Sequence, residues 1–128
     1  MDRNARWFAW GVYVLLWTTL LVMPARTIDE LTAKEIPEGF KYVLAKSLHV
    51  SAYAVMTLLC GWLRVRASFR WLLMFFLMAH ATLTEMIQYH VPALGRTGEL
   101  NDVAFDQFGI TLGLLLSWKW WVNEDASG

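Results

Sequence analysis

Apolar residues along this chain collect into four long blocks, near 7–23, 42–63, 71–89 and 103–122, with Pro, Gly and charged residues gathered between them. Each block has about the 17 to 25 residues that a helix needs to cross the hydrocarbon of a bilayer. The pattern predicts an all-α, polytopic membrane protein: four transmembrane helices forming a single domain over 1–128, with almost no chain left for a soluble one. The first block resembles a signal peptide in having Arg3 and Arg6 before it and Pro24-Ala25 after it. Its apolar stretch is longer than the roughly 7 to 15 residues of such a peptide and lacks a clear small-x-small site, so it reads as a retained span.

Polar positions inside the blocks are not scattered. At about 100° per residue, Lys46, His49, Tyr53, Thr57 and Cys60 fall in one narrow arc of the second helix. Thr84, Glu85 and Gln88 share a face of the third, with His80 at its margin. Asp102, Asp106, Gly109 and Gly113 share a face of the fourth, where the two glycines form a G-x-x-x-G pair that lets a neighbouring helix pack closely. Each of these helices therefore offers one polar or small face to the others.

Composition supports the bilayer as solvent: 57% hydrophobic residues, 17% charged and eight Trp in 128 residues are wrong for a soluble surface. Eleven basic and eleven acidic residues leave no net charge, and the Lys and Arg are dispersed, which excludes a nucleic-acid face and a polybasic lipid patch. The single Cys60 excludes an intrachain disulfide and a Cys-rich zinc site. Orientation follows from the ends of the blocks. Arg3, Arg6, Lys119 and the short connection bearing Arg64, Arg66 and Arg70 fall on one side, and Arg26, Lys34, Lys41 and Arg96 on the other are diluted by five acids. Both termini are therefore expected in the cytoplasm. Trp7, Trp10, Trp62, Trp71, Trp118, Trp120 and Trp121 then gather at that interface as an aromatic belt.

With this topology Lys46, Glu85, Gln88, Asp102 and Asp106 all lie within about two turns of the outer end, and Arg96 hangs above them in the loop VPALGRTGEL. An ammonium at that depth costs roughly 2.5 kcal/mol or more on insertion scales. Carboxylates at the same level are expected to meet it, with Lys46 or Arg96 as the counter-ion of Glu85.

These residues also carry a resemblance. KSLHVSAY has the form K-x-x-H-x-x-x-Y, TEMIQ gives E-x-x-Q, and RTGELNDVAFDQFGITLG gives R-x5-D-x3-D-x2-G-x3-G. In this order, from about Lys46 to Gly113, the chain resembles the VanZ-like family of small membrane proteins. The resemblance implies four helices, a bacterial cytoplasmic membrane and, through the namesake of the family, a link to teicoplanin-type glycopeptide resistance. It does not imply a molecular activity. Where members usually carry Asn, this chain has Asp106, which alters the charge or proton count of the site.

The chemistry of the cluster narrows the functions. If Glu85, Asp102 and Asp106 were all ionised against Lys46 and Arg96, one negative charge would be left over, favouring a shared proton or a bound cationic group. A metal site in His49, Glu85, Asp102 and Asp106 is opposed by Lys46 and Arg96 at the same level, and H-E-x-x-H and paired-Cys spacings are lacking, so neither metal nor cofactor is expected. Ser47 and Ser51 lie off the His49 face and Cys60 lies far deeper, which leaves no evident nucleophile. A polar, outward-facing cleft suits an amphiphile such as a membrane lipid, a lipid-linked precursor or a lipoglycopeptide. Lys46, Tyr53, Gln88, Arg96 and Asp102 are its expected ligand-binding residues, and Gly109 and Gly113 packing residues. His49, Glu85 and Asp106 are the candidates for acid–base hydrolysis or group transfer. The alternative is a non-catalytic structural or partner-binding bundle whose register the polar cluster sets. Proton-coupled or lipid transport is a third reading, against which stand four short spans without broken-helix or inverted-repeat signals. Oligomeric state is not legible.

Overall fold

The computed structural model describes residues 1–24, 37–95 and 100–123, and the described residues are helical, without strands. Helix α1 spans Arg3–Val22, α2 Glu38–Trp62 and α3 Ala67–His90; a 3-10 turn over Pro92–Leu94 follows, then α4 over Leu100–Leu116 and α5 over Trp118–Val122. The elements reach beyond the apolar blocks because local signals decide their ends. Asp2 caps α1 by accepting the Ala5 N–H at 2.7 Å, which starts the helix well before Trp7. Pro24, Pro37 and Pro92 stand just outside α1, α2 and α3, where a fixed φ and a missing N–H interrupt helical bonding.

α1, α2 and α3, with 20, 25 and 24 residues, are long and apolar enough to cross a membrane. The fourth expected span differs: the single helix anticipated over 103–122 is two helices that meet at Ser117. The Ser117 hydroxyl donates to the Gly113 carbonyl at 2.6 Å and accepts the Trp121 indole N–H at 2.9 Å, and such back-bonding competes with the regular ladder. α4 alone, with 17 residues, rises only about 26 Å.

Cross-helix contacts establish the order of the bundle. Tyr13 of α1 donates to the Ala52 carbonyl of α2 at 3.1 Å, and Arg6 to the Trp62 carbonyl at 3.1 Å, so α1 and α2 are antiparallel. Trp7 against Phe69 and Thr18 against His80 make α1 and α3 parallel. α2 and α4, the most extensively packed pair, run parallel, with Gly109 against Val50 and Gly113 against Ala54. The core of Tyr53, Met56, Cys60, Leu63, Leu77, Ala81 and Ile110 lies where these faces meet.

Two expectations are corrected at the end holding the N-terminus. Arg70 is not a loop charge: it lies in the first turn of α3, 1% exposed, and its guanidinium donates to the Trp120 carbonyl and, at 3.0 Å, to that of Asn123. It satisfies carbonyls that the end of α5 leaves open, a favourable place for a cation. Trp121 is not a belt residue either. It is 2% exposed and lies so close to Gly61 that a Cβ there would strike the indole. Trp71 and Trp118, by contrast, are exposed.

Candidate functional site

Parallel packing of α2 and α4 sets the site. A Cβ at Gly109 would collide with the Val50 carbonyl, and one at Gly113 with the Ala54 carbonyl and the Thr57 side chain. With hydrogen there instead, the backbones approach closely, and the same parallel register, carried toward the N-terminal ends of the two helices, brings Lys46 to Asp102 and His49 to Asp106. Lys46 Nζ is ion-paired and hydrogen-bonded to Asp102 Oδ1, with both side chains largely buried. His49 Nδ1 and Asp106 Oδ1 are 2.8 Å apart. The Asp106 side chain is fully buried and that of His49 nearly so.

α3 supplies Glu85, 4% exposed, from the opposite side. One ligating atom each of His49, Glu85 and Asp106 lies within 4.8 Å of the others. Glu85 Oε1, Glu85 Oε2 and Asp106 Oδ2 are buried and accept no hydrogen bond among the described residues. Of the two counter-ions expected for Glu85, Lys46 forms its ion pair with Asp102, with which it shares the α2–α4 interface, whereas Glu85 approaches from α3. Arg96 lies outside the described residues.

Tyr53 and Gln88 face inward. Tyr53 is wholly buried, its hydroxyl 3.0 Å from His80 Nδ1 and 3.4 Å from the Thr84 hydroxyl, while His80 Nε2 is 2.7 Å from Thr18 Oγ1. A polar chain thus links α1, α2 and α3. Gln88 donates its amide N–H to the Leu21 carbonyl at 2.5 Å, tying α3 to the last turn of α1. Sequence reasoning set His80 at the margin and did not single out Thr18. The available signal was the spacing of His80 and Thr84 at i, i+4, together with a threonine pair in an otherwise apolar first helix. Ser47 and Ser51 are exposed, away from the His49 face, and Cys60 is buried nearer the opposite end.

Beside the cluster, on the outer surface of α2 and α4, runs a shallow cleft of about 480 Å³, lined by Tyr42, Val43, Lys46, Val50 and Phe105 among others. Its walls are mostly apolar and Lys46 is its charged member. The ammonium lies 5.0 Å from the Tyr42 ring centroid and 5.7 Å from that of Phe105, distances at which ring quadrupoles attract a cation.

An all-helical bundle with several membrane-spanning helices and a buried carboxylate–imidazole cluster at one end defines a small integral membrane protein. The model of the VanZ/LLP1 family matches residues 9–122, and the chain belongs to that family. Among curated proteins and solved structures, none matches the chain.

Proposed function

We propose that this VanZ-family protein recognises an amphiphile from the outer leaflet of a bacterial cytoplasmic membrane, such as a lipid-linked precursor or a lipoglycopeptide. The observation that carries this reading is the α2–α4 cleft, apolar along its walls with Lys46 as its charged member. An acyl or prenyl chain lies along Val43, Val50 and Phe105, exchanging bilayer lipid for protein side chains at little cost. The head group reaches Lys46 and Asp102, whose mutual pairing keeps them affordable in the apo protein and leaves both donor and acceptor capacity. The His49–Asp106 pair adds an imidazole oriented by a carboxylate, the arrangement of a general base, which supports a processing step on the bound head group.

A fluorescent teicoplanin derivative, titrated against the protein in nanodiscs, tests the proposal. Lys46→Met is expected to weaken binding about tenfold, the loss of one charge-assisted contact, and Val43→Trp, a change at an exposed lining residue, to obstruct the cleft. Binding indifferent to both substitutions would remove amphiphile recognition at this cleft. The second reading, a non-catalytic bundle, draws on the sealed Thr18–His80–Tyr53–Thr84 chain and the Gln88–Leu21 bond. It predicts bundle stability sensitive to those residues and no saturable ligand.

A further inference from the structure

Glu85 and Asp106 present a charge problem that amphiphile binding at the cleft leaves unsolved. Three of their four carboxylate oxygens are buried without a hydrogen-bond partner among the described residues, and leaving such a group unmatched is among the costliest arrangements in a protein interior. The Lys46 ammonium, one of the two cations set against a metal from the sequence, is ion-paired with Asp102, and Arg96, the other, lies outside the described residues. Lys46 and Asp102 together are neutral. Beside them, among the described residues, stand two carboxylates and one imidazole, whose ligating atoms lie within 4.8 Å of one another.

We propose that His49, Glu85 and Asp106 form a binding site for a divalent transition-series cation, zinc being the ion that suits it best. Two carboxylates and a neutral imidazole neutralise a 2+ ion without remainder. The donor set, one nitrogen and carboxylate oxygens, falls within the ligand range of zinc. Three protein ligands also match the count found at zinc sites that keep one coordination position open. Ligands at about 2.1 Å in a tetrahedron stand roughly 3.4 Å apart; His49 Nδ1 and Asp106 Oδ1 are already inside that spacing at 2.8 Å, and the three ligating atoms lie within 4.8 Å of one another. α2 and α4, which carry His49 and Asp106, are held in close contact at Gly109 and Gly113, so two of the three ligands come from a fixed frame. The site shares His49 and Asp106 with the proposed processing step, in which the imidazole would then serve as a ligand rather than a base, but it uses none of the cleft walls, and a cation can bind with no amphiphile present.

Metal analysis of the full chain tests it. Protein purified in detergent, stripped with a chelator and equilibrated with a small excess of zinc, is expected to retain one zinc per chain after removal of free ion. Glu85→Gln and Asp106→Asn, which keep shape and remove charge, are expected to weaken zinc affinity by roughly 100-fold or more. Cys60→Ala and His90→Ala, which remove other residues able to ligate zinc, are expected to leave it unchanged. X-ray absorption at the zinc edge of the wild-type protein provides a readout that does not depend on variants folding, and nitrogen and oxygen neighbours with one imidazole are expected. No retained zinc, retention unaffected by both carboxylate substitutions, loss on Cys60→Ala or His90→Ala, or sulfur in the coordination shell would each overturn the proposal.

Discussion

Lys46 and Asp102 pair at the end of the bundle opposite the N-terminus, with each side chain nearly buried, at 13% and 12% exposure. Removing one partner strands the other, and such losses reach roughly 3 kcal/mol where screening is weak. In a double-mutant cycle read by unfolding in detergent, Lys46→Met and Asp102→Asn are expected to show a coupling of at least about 1 kcal/mol. The coupling of Lys46→Met with Glu85→Gln should be smaller, because no hydrogen bond joins those two residues. Equal couplings would show that Lys46 serves both carboxylates alike. Tyr53 offers a second test at this scale. Tyr53→Phe removes the hydroxyl that meets His80 and Thr84 while preserving the ring, and an expected loss of about 1 kcal/mol is checked by the same unfolding measurement. His80→Ala should cost more, because it also abandons Thr18.

At the scale of elements, the α2–α4 contact decides whether the site exists. Gly109→Ala and Gly113→Ala each place a methyl group against the backbone of α2, where no flexible side-chain end can yield. Each is expected to destabilise by about 1–3 kcal/mol, as overpacking does, and to separate Lys46 from Asp102. Gly11→Ala and Gly39→Ala meet nothing within 4 Å, so their expected cost is near zero. Thermal melts of the four variants check this contrast, and equal effects would mean that helix propensity rather than close approach explains them. The G-x-x-x-G pattern announced a close neighbour, but the sequence carries no information on which helix takes that position. That choice depends on which partner presents small or receding backbone at the same height, and Val50 and Ala54 of α2 do so.

For the whole molecule, the alternating directions of α1 to α4 bring Arg6, Arg64, Arg66 and Arg70 to one end and Lys46, Glu85, Asp102 and Asp106 to the other. On the positive-inside rule the arginine end, which holds the start of α1 and the end of α5, is expected in the cytoplasm. Arg6 and Arg70 also have internal partners at that end, the Trp62 carbonyl and the carbonyls at the end of α5. In a Cys60→Ala background, cysteine introduced by Ala93→Cys in the exposed 3-10 turn is expected to react with an impermeant thiol reagent in intact cells. Cysteine introduced by Ser68→Cys, exposed at the other end, should react only after permeabilisation. The reverse pattern would invert the protein and turn the carboxylate cluster toward the cytoplasm.

Helical class and the level of the polar residues were legible in the chain itself, because apolar length and a 100° period are local properties that survive any arrangement of neighbours. On that basis Lys46, Glu85, Gln88, Asp102 and Asp106 read as one layer, and Gly109 and Gly113 as a packing face. Partnerships were not legible. Lys46 has three carboxylates near its depth, and only the parallel register of α2 and α4, set by two missing side chains, gives it Asp102 and leaves Glu85 facing His49 and Asp106. Nor did sequence position mark Arg70 and Trp121 as buried, since their carbonyl and hydroxyl partners come from a bend at Ser117 that no apolar pattern records. Composition and period determine which residues reach the same depth in the membrane; tertiary packing alone determines which of them touch, because contact depends on the rotation and separation of helices about axes that the linear pattern does not contain.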